Sequence, residues 1–178
     1  PRYFVPATIS ARSSVTTRLL MRISGTLPAA TLFCFVSAPT SSGNQVLCQI
    51  GTGGYGLQLT SSNAFTFGVP GIDPGGVTFT NSAQNTWRSL AATFTAAGQN
   101  RSLYVNTSLV GTDTTTVYAF TAGPAAIGAQ TDGSNGFAPS GTAGKMAHLL
   151  LFPAALSAAQ IKAVHNLLCY QYGVAAVT

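Results

Sequence analysis

From residue 15 onward the chain reads as short runs of alternating apolar and polar residues, divided by clusters of Gly, Pro, Asn and Ser. Runs rich in β-branched and aromatic residues fall at 15–24, 31–37, 45–50, 55–60, 64–69, 76–80, 87–95, 101–106, 108–111, 113–120, 124–129 and 143–152. Many short strands at this spacing predict an all-β, antiparallel two-sheet sandwich. The breaks have mechanisms: GTGGYG at 51–56 supplies glycines for positive φ, and GVPGIDPGG at 68–76 adds prolines of fixed φ. Residues 1–14 (PRYFVPATISARSS) carry two prolines and no period, which predicts an extended N-terminal arm ahead of one domain over 15–178.

One segment has helical period instead. Ser157 is placed to cap it, Gln160 holds the capping-box position, and Leu156 can pack on Ile161 as a hydrophobic staple. Ile161, Val164, Leu167 and Leu168 continue an apolar stripe, and Cys169 to Val174 (CYQYGV) predicts a closing strand. The expectation is therefore a sandwich with one short C-terminal helix before the last strand.

Composition changes the picture of the surface. Charged residues make up 6% of the chain, against about 25% in an ordinary soluble protein. Hydroxyl, amide and glycine residues must cover the outside, and so uncharged a surface suits permanent neighbours or crowded copies. The net charge of +5 reflects missing acids more than abundant bases. Arg2, Arg12, Arg18 and Arg22 concentrate it at the N-terminal end, where Thr16, Arg18, Leu20 and Arg22 share one face of an extended segment. That face reads either as a solvated strand or as a dock for an acidic partner surface. Nucleic acid fits less well, because neither a lysine-rich run nor aromatic-basic alternation accompanies it. The three cysteines, Cys34, Cys48 and Cys169, lie in apolar stretches and are expected to be buried, reduced thiols. Neither a membrane-spanning run nor a signal peptide is evident, and a start at Pro1 is expected from trimming of an initiator methionine or, alternatively, from processing of a longer precursor.

The order Trp87-Arg88-Ser89-Leu90-Ala91-Ala92-Thr93-Phe94, Ser102-Leu103-Tyr104-Val105-Asn106 and Ala126-Ile127-Gly128 resembles the laminin-G-like, concanavalin-A-like jelly roll. Gly144-Lys145-Met146-Ala147-His148-Leu149-Leu150-Leu151-Phe152, followed by Ala155-Leu156-Ser157 and Gln160-Ile161, resembles that family's late strand and helix. The likeness covers 87–173; before Trp87 it rests on strand rhythm alone. It implies two stacked antiparallel sheets in a recognition role, often toward glycans and sometimes through calcium. Two departures stand out: Thr107 follows Asn106 where the family commonly has a turn glycine, so Asn106 is expected to be left-handed, and Ala147-His148 stands where an acid is common.

The chemistry favours binding over catalysis. Glucanases of this superfamily use paired glutamates, and the chain has none. Asp73, Asp113 and Asp132 lie in separate segments, and the serines lack a nucleophile context. His148 reads as a core or sheet-face residue, and His165 with Cys169 as helix packing, two ligands short of a zinc site. A calcium cofactor would draw on Asp132, in Gln130-Thr131-Asp132-Gly133-Ser134-Asn135, with Asp113 as a second ligand; a turn role for Asp132 is the plainer alternative. Glycan contact would use Tyr55, Tyr118 and Asn135.

Two functions follow. The first is a non-enzymatic structural or interaction module of an assembled particle, such as a phage capsid decoration or tail protein, at a virion or extracellular particle surface, homo-oligomeric and in contact with protein neighbours. The second is a lectin-like carbohydrate-binding domain, calcium-assisted in some relatives. Neither reading involves nucleic acid or membrane insertion.

Overall fold

The computed structural model describes residues 27–38, 43–51, 54, 56–68, 76–97, 100–114, 123–128 and 145–173, together with the backbone of 19–23. The strands are β1 (Leu19–Ile23), β2 (Ala29–Ser37), β3 (Gln45–Ile50), β4 (Gly56–Leu59), β5 (Ala64–Gly68), β6 (Val77–Thr80), β7 (Trp87–Thr95), β8 (Asn100–Val105), β9 (Ser108–Asp113), β10 (Gly123–Ile127) and β11 (Lys145–Phe152). One helix, α1 (Ala158–Tyr172), follows. The predicted arm (1–14), the 69–75 loop and most of the 113–120 run lie outside the described residues.

All pairings are antiparallel. One sheet has the order β1-β10-β3-β4-β5-β6 and the other β11-β2-β7-β8-β9. Their inner faces meet in one core that includes Leu32, Cys34, Leu47, Leu57, Phe65, Phe67, Leu90, Phe94 and Leu103. Alternation along β2 explains the layering: Leu32, Cys34 and Val36 face this core, while Phe33 and Phe35 face away and pack with Ala91 beneath α1. Both faces of the five-stranded sheet are thus covered over β2. That is why AATLFCFVS is nearly continuously apolar rather than alternating.

Two breaks set register. Gly51 adopts positive φ, and a Cβ at Gly54 would lie 1.7 Å from the Ile50 carbonyl oxygen, so this turn excludes side chains there. A bulge in β11 between Met146 and His148 shifts His148 by one position. It pairs with Phe35 on the helix side instead of facing the core with Cys34.

The helix begins as its sequence dictates. The Ser157 hydroxyl accepts from Gln160 N–H at 3.3 Å, and Gln160 Oε1 accepts from Ser157 N–H at 2.9 Å. Thr31, fully buried on β2, fixes the approach: its hydroxyl donates to Ala154 O at 2.8 Å and accepts from Leu156 N–H at 2.9 Å. The end of the helix corrects the sequence reading. Cys169–Tyr172 is helical, not a closing strand, and α1 runs for 15 residues until left-handed Gly173 caps it. The buried stripe is Ile161, His165, Leu168 and Cys169. Leu167, expected in that stripe, is 65% exposed. The reason is packing: positions 161, 165, 168, 169 and 172 share the face turned to the sheet, where Tyr172 stacks on Phe35 at 5.7 Å between centroids.

Candidate functional site

The reactive side chains lie inside. Ser89 Oγ on β7 is 2.7 Å from His165 Nδ1, and Cys169 Sγ is 3.3 Å from His165 Nε2. A hydroxyl beside an imidazole is the pairing a nucleophilic site uses, yet Ser89, His165 and Cys169 are 1%, 3% and 0% exposed. Burial lowers the His165 pKa and raises that of the Cys169 thiol, so the ring is neutral and the thiol protonated at neutral pH. A neutral imidazole offers one donor and one acceptor, and the hydroxyl and thiol meet these on opposite sides. The three groups fasten helix to sheet. Sequence reasoning missed Ser89, which is 76 residues from His165. Among the described residues no cluster of three His, Cys, Asp or Glu side chains could hold a metal.

His148 is likewise occupied. The Tyr172 hydroxyl lies 3.3 Å from Ala147 O as a donor and is also hydrogen-bonded to His148 Nδ1. Cys34 and Cys48 are free and buried, and burial pushes the Cys34 thiol well up and that of Cys48 to about 12. Asp113, the weaker of the two aspartates considered for calcium, faces Arg101: its Oδ2 accepts from Nε–H at 2.7 Å and from Nη2. With Arg101 1% exposed, this carboxylate already balances a buried cation, which disfavours calcium there.

One end of the sandwich carries a different chemistry. Loops between strands are tied there by hydrogen bonds: Asn85 N–H to Ala38 O at 2.7 Å, Asn81 N–H to Asn63 O at 2.7 Å, and Ser61 N–H to Asn44 Oδ1 at 3.2 Å. Asn63, Asn85 and Asn106 all adopt positive φ, which asparagine tolerates because its short amide can bond locally. The exposed segment 82–86 presents Ser82, Gln84, Asn85 and Thr86, all neutral hydrogen-bonding side chains.

Arg88 sits within this rim. Its Nε–H donates to Asn81 Oδ1 at 3.2 Å, its Nη2 donates to Ala83 O at 3.2 Å, and its guanidinium lies over the Phe79 ring, 5.5 Å from the centroid. None of these contacts is with a carboxylate. The bond from Arg88 fixes which end of the Asn81 amide is oxygen, and Asn81 Nδ2, in a residue 2% exposed, has no partner. Leaving such a group unpaired costs about 1–3 kcal/mol. Thr66 Oγ1 is the other such atom among the described residues.

Of the residues singled out from sequence for binding, Tyr55, Tyr118, Asp132 and Asn135 lie outside the described residues, as do Arg2, Arg12 and Arg18. Arg22 pairs through its backbone with Pro124 on β10. Asn81 and Arg88 were not foreseen as a pair, although Arg88 was visible as an arginine opening an apolar strand.

Residues 10–162 match the concanavalin A-like lectin/glucanases superfamily. The chain belongs to that superfamily. Among curated proteins no sequence matches it. Solved structures share the fold. A candidate carbohydrate-binding protein from Bacteroides ovatus superposes with a TM-score of 0.64 at 16% identity, over 85% of this chain and 45% of that one. A heptameric pentraxin from Limulus polyphemus gives 0.59 at 16% identity, over 89% and 80%. Botulinum neurotoxin type C, which enters cells in dependence on two ganglioside molecules, gives 0.61 at 14% identity, over 85% and 40%. The chain thus spans about two fifths of the neurotoxin structures it resembles. No helix among the described residues is long and apolar enough to cross a membrane.

Proposed function

We propose that this lectin-type domain is a non-catalytic glycan-recognition module. The observation that carries the reading is the division of its chemistry. Ser89, His165, Cys169, Cys34 and Cys48 are sealed inside, and the loop rim presents amides and hydroxyls. Neutral hydrogen-bonding groups matched to sugar hydroxyls are what carbohydrate binding needs, whereas hydrolysis needs an accessible carboxylate pair. The glycan-related neighbours support the same reading. A glycan array probed with the folded protein, paired with a hydrolysis assay on each bound glycan, tests it. Binding without product is expected; release of reducing sugar, or no binding across the array, sinks the reading.

A second reading, as a packing element of an assembled particle such as a virion surface, has its own observation. Leu167 and Tyr170, 65% and 88% exposed, lie three residues apart on one face of α1. Neighbouring copies in a particle would cover them. Light scattering tests this reading: oligomers that dissociate on Leu167→Gln with Tyr170→Gln support it, and a monomer at high concentration removes it.

A further inference from the structure

A surface helix ordinarily turns charge to the solvent, and α1 does not. Its buried face, Ile161, His165, Leu168 and Cys169, lies against the sheet. The opposite face carries Ala159, Ala163, Leu167 and Tyr170, all exposed, which fall within about a quarter of the circumference at 3.6 residues per turn. Lys162, half-buried at the border of this face, is the one charged residue of the helix. A helix that is apolar on two opposite faces, with its own sheet on only one of them, calls for a second cover. Side-chain size is also ordered along the exposed face. Alanines occupy 159 and 163 in the first half, and Leu167 and Tyr170 stand out in the second.

We infer that α1 is the contact of a twofold dimer, in which a second copy of this chain lays its own α1 antiparallel along it. The inference rests on the packing reading and adds the partner's orientation and a contact closed at two copies. The order of sizes selects that partner. With the twofold axis beside residue 165, Ala163 faces the partner's Leu167 and Ala159 faces the partner's Tyr170. Each large side chain meets the gap over a small one, and the contact occurs twice, as an isologous interface requires. The alanines let the helix axes approach to about 8 Å. Charge sets no barrier: each copy carries +5, but Lys162 lies about 9 Å along the helix axis from the partner's Lys162. A lipid surface fits less well, because helices that lie in a membrane interface are rich in basic residues and α1 has one. Area sets the strength. At 15 residues the helix is about 22 Å long, and two such helices side by side bury about half of the ~800 Å² per partner found in stable complexes. The dimer is therefore weak and reversible.

Exposed cysteines test the register. Full chains carrying Ala163→Cys and Leu167→Cys are prepared separately, mixed at high concentration and oxidised with glutathione disulfide. The native thiols, at most 1% exposed, stay out of the reaction. The mixed disulfide should form at least about tenfold faster than a disulfide between two chains of either variant, because only the mixed pair stands face to face. Ala159→Cys mixed with Ala163→Cys, which the antiparallel pairing holds apart, should gain no such advantage. In sedimentation equilibrium the unaltered chain should form dimers and nothing larger. Ala163→Arg, a good helix former at an exposed position, should keep the fold and weaken dimerisation at least about tenfold. Association without preference for the mixed disulfide, or growth beyond dimers, overturns the inference and leaves the packing reading standing. Monomers at millimolar concentration with no preferred disulfide overturn both.

Discussion

Asn106 reaches back across the β7–β8 pair to Ser89: its side-chain oxygen accepts from Ser89 N–H at 3.0 Å, and its own N–H donates to Ser89 O at 2.9 Å. The residue does this while holding φ 48 at the first position of a two-residue turn, with Thr107 at φ 73 beside it. A hairpin turn of this hand needs both central residues left-handed, and a β-branched side chain is poorly suited to the second.

Thr107→Gly should therefore stabilise the fold by about 0.5–1 kcal/mol, because relief of left-handed strain exceeds the extra chain entropy of glycine. Asn106→Ala should destabilise it by about 1–3 kcal/mol, losing the Ser89 bond and adding strain. Denaturant midpoints of the two variants check both signs; a destabilising Thr107→Gly removes the strain account.

His165 gives the fold an acid limit. Its folded pKa lies below the ordinary value of about 6.5 because burial disfavours the charged ring. The unfolded chain consequently takes up the proton first. Stability from the neutral ring is complete above about pH 6.5 and falls as pH drops toward the folded pKa. Thermal midpoints measured across that range should decline, and His165→Gln should lower stability at neutral pH while flattening the slope. An unchanged slope in the variant assigns the decline to other groups.

The buried pair Arg101–Asp113 predicts an asymmetric cost. Asp113→Asn leaves the Arg101 charge buried and should destabilise by about 3–5 kcal/mol, whereas replacing both residues, Arg101→Met with Asp113→Leu, should cost less. A double-mutant cycle by chemical denaturation measures the difference. Equal losses in the two variants would show that the ion pair does not set the cost.

The thiols should report the integrity of the core. Cys34, Cys48 and Cys169 are buried with raised pKa values, so a thiol-reactive dye should label none of them in the native state and all three in denaturant. Rapid native labelling at Cys169 would mean that α1 opens from the sheet.

Much of this was legible along the chain because it is local. Strand periods, the Gly51–Gly56 turn, the capping box of Ser157 and Gln160 and the left-handed Asn106 each depend on a few neighbouring residues. The resemblance carried by Trp87–Phe94 and Lys145–Phe152 located the superfamily, and the absence of glutamate closed its two-glutamate hydrolytic route. What the tertiary structure alone decided is which side of a sheet a residue faces and what meets it there. One bulged residue moves His148 from the core side to the helix side. Docking on Phe33, Phe35 and Ala91 turns CYQY from a β-prone run into the end of a helix. Ser89 meets His165, and Arg101 is sealed against Asp113, through the pairing and packing of strands and helix. The rim follows the same logic: Asn81 and Arg88 are unremarkable seven residues apart in sequence, and the turn from β6 into β7 makes them hydrogen-bond partners.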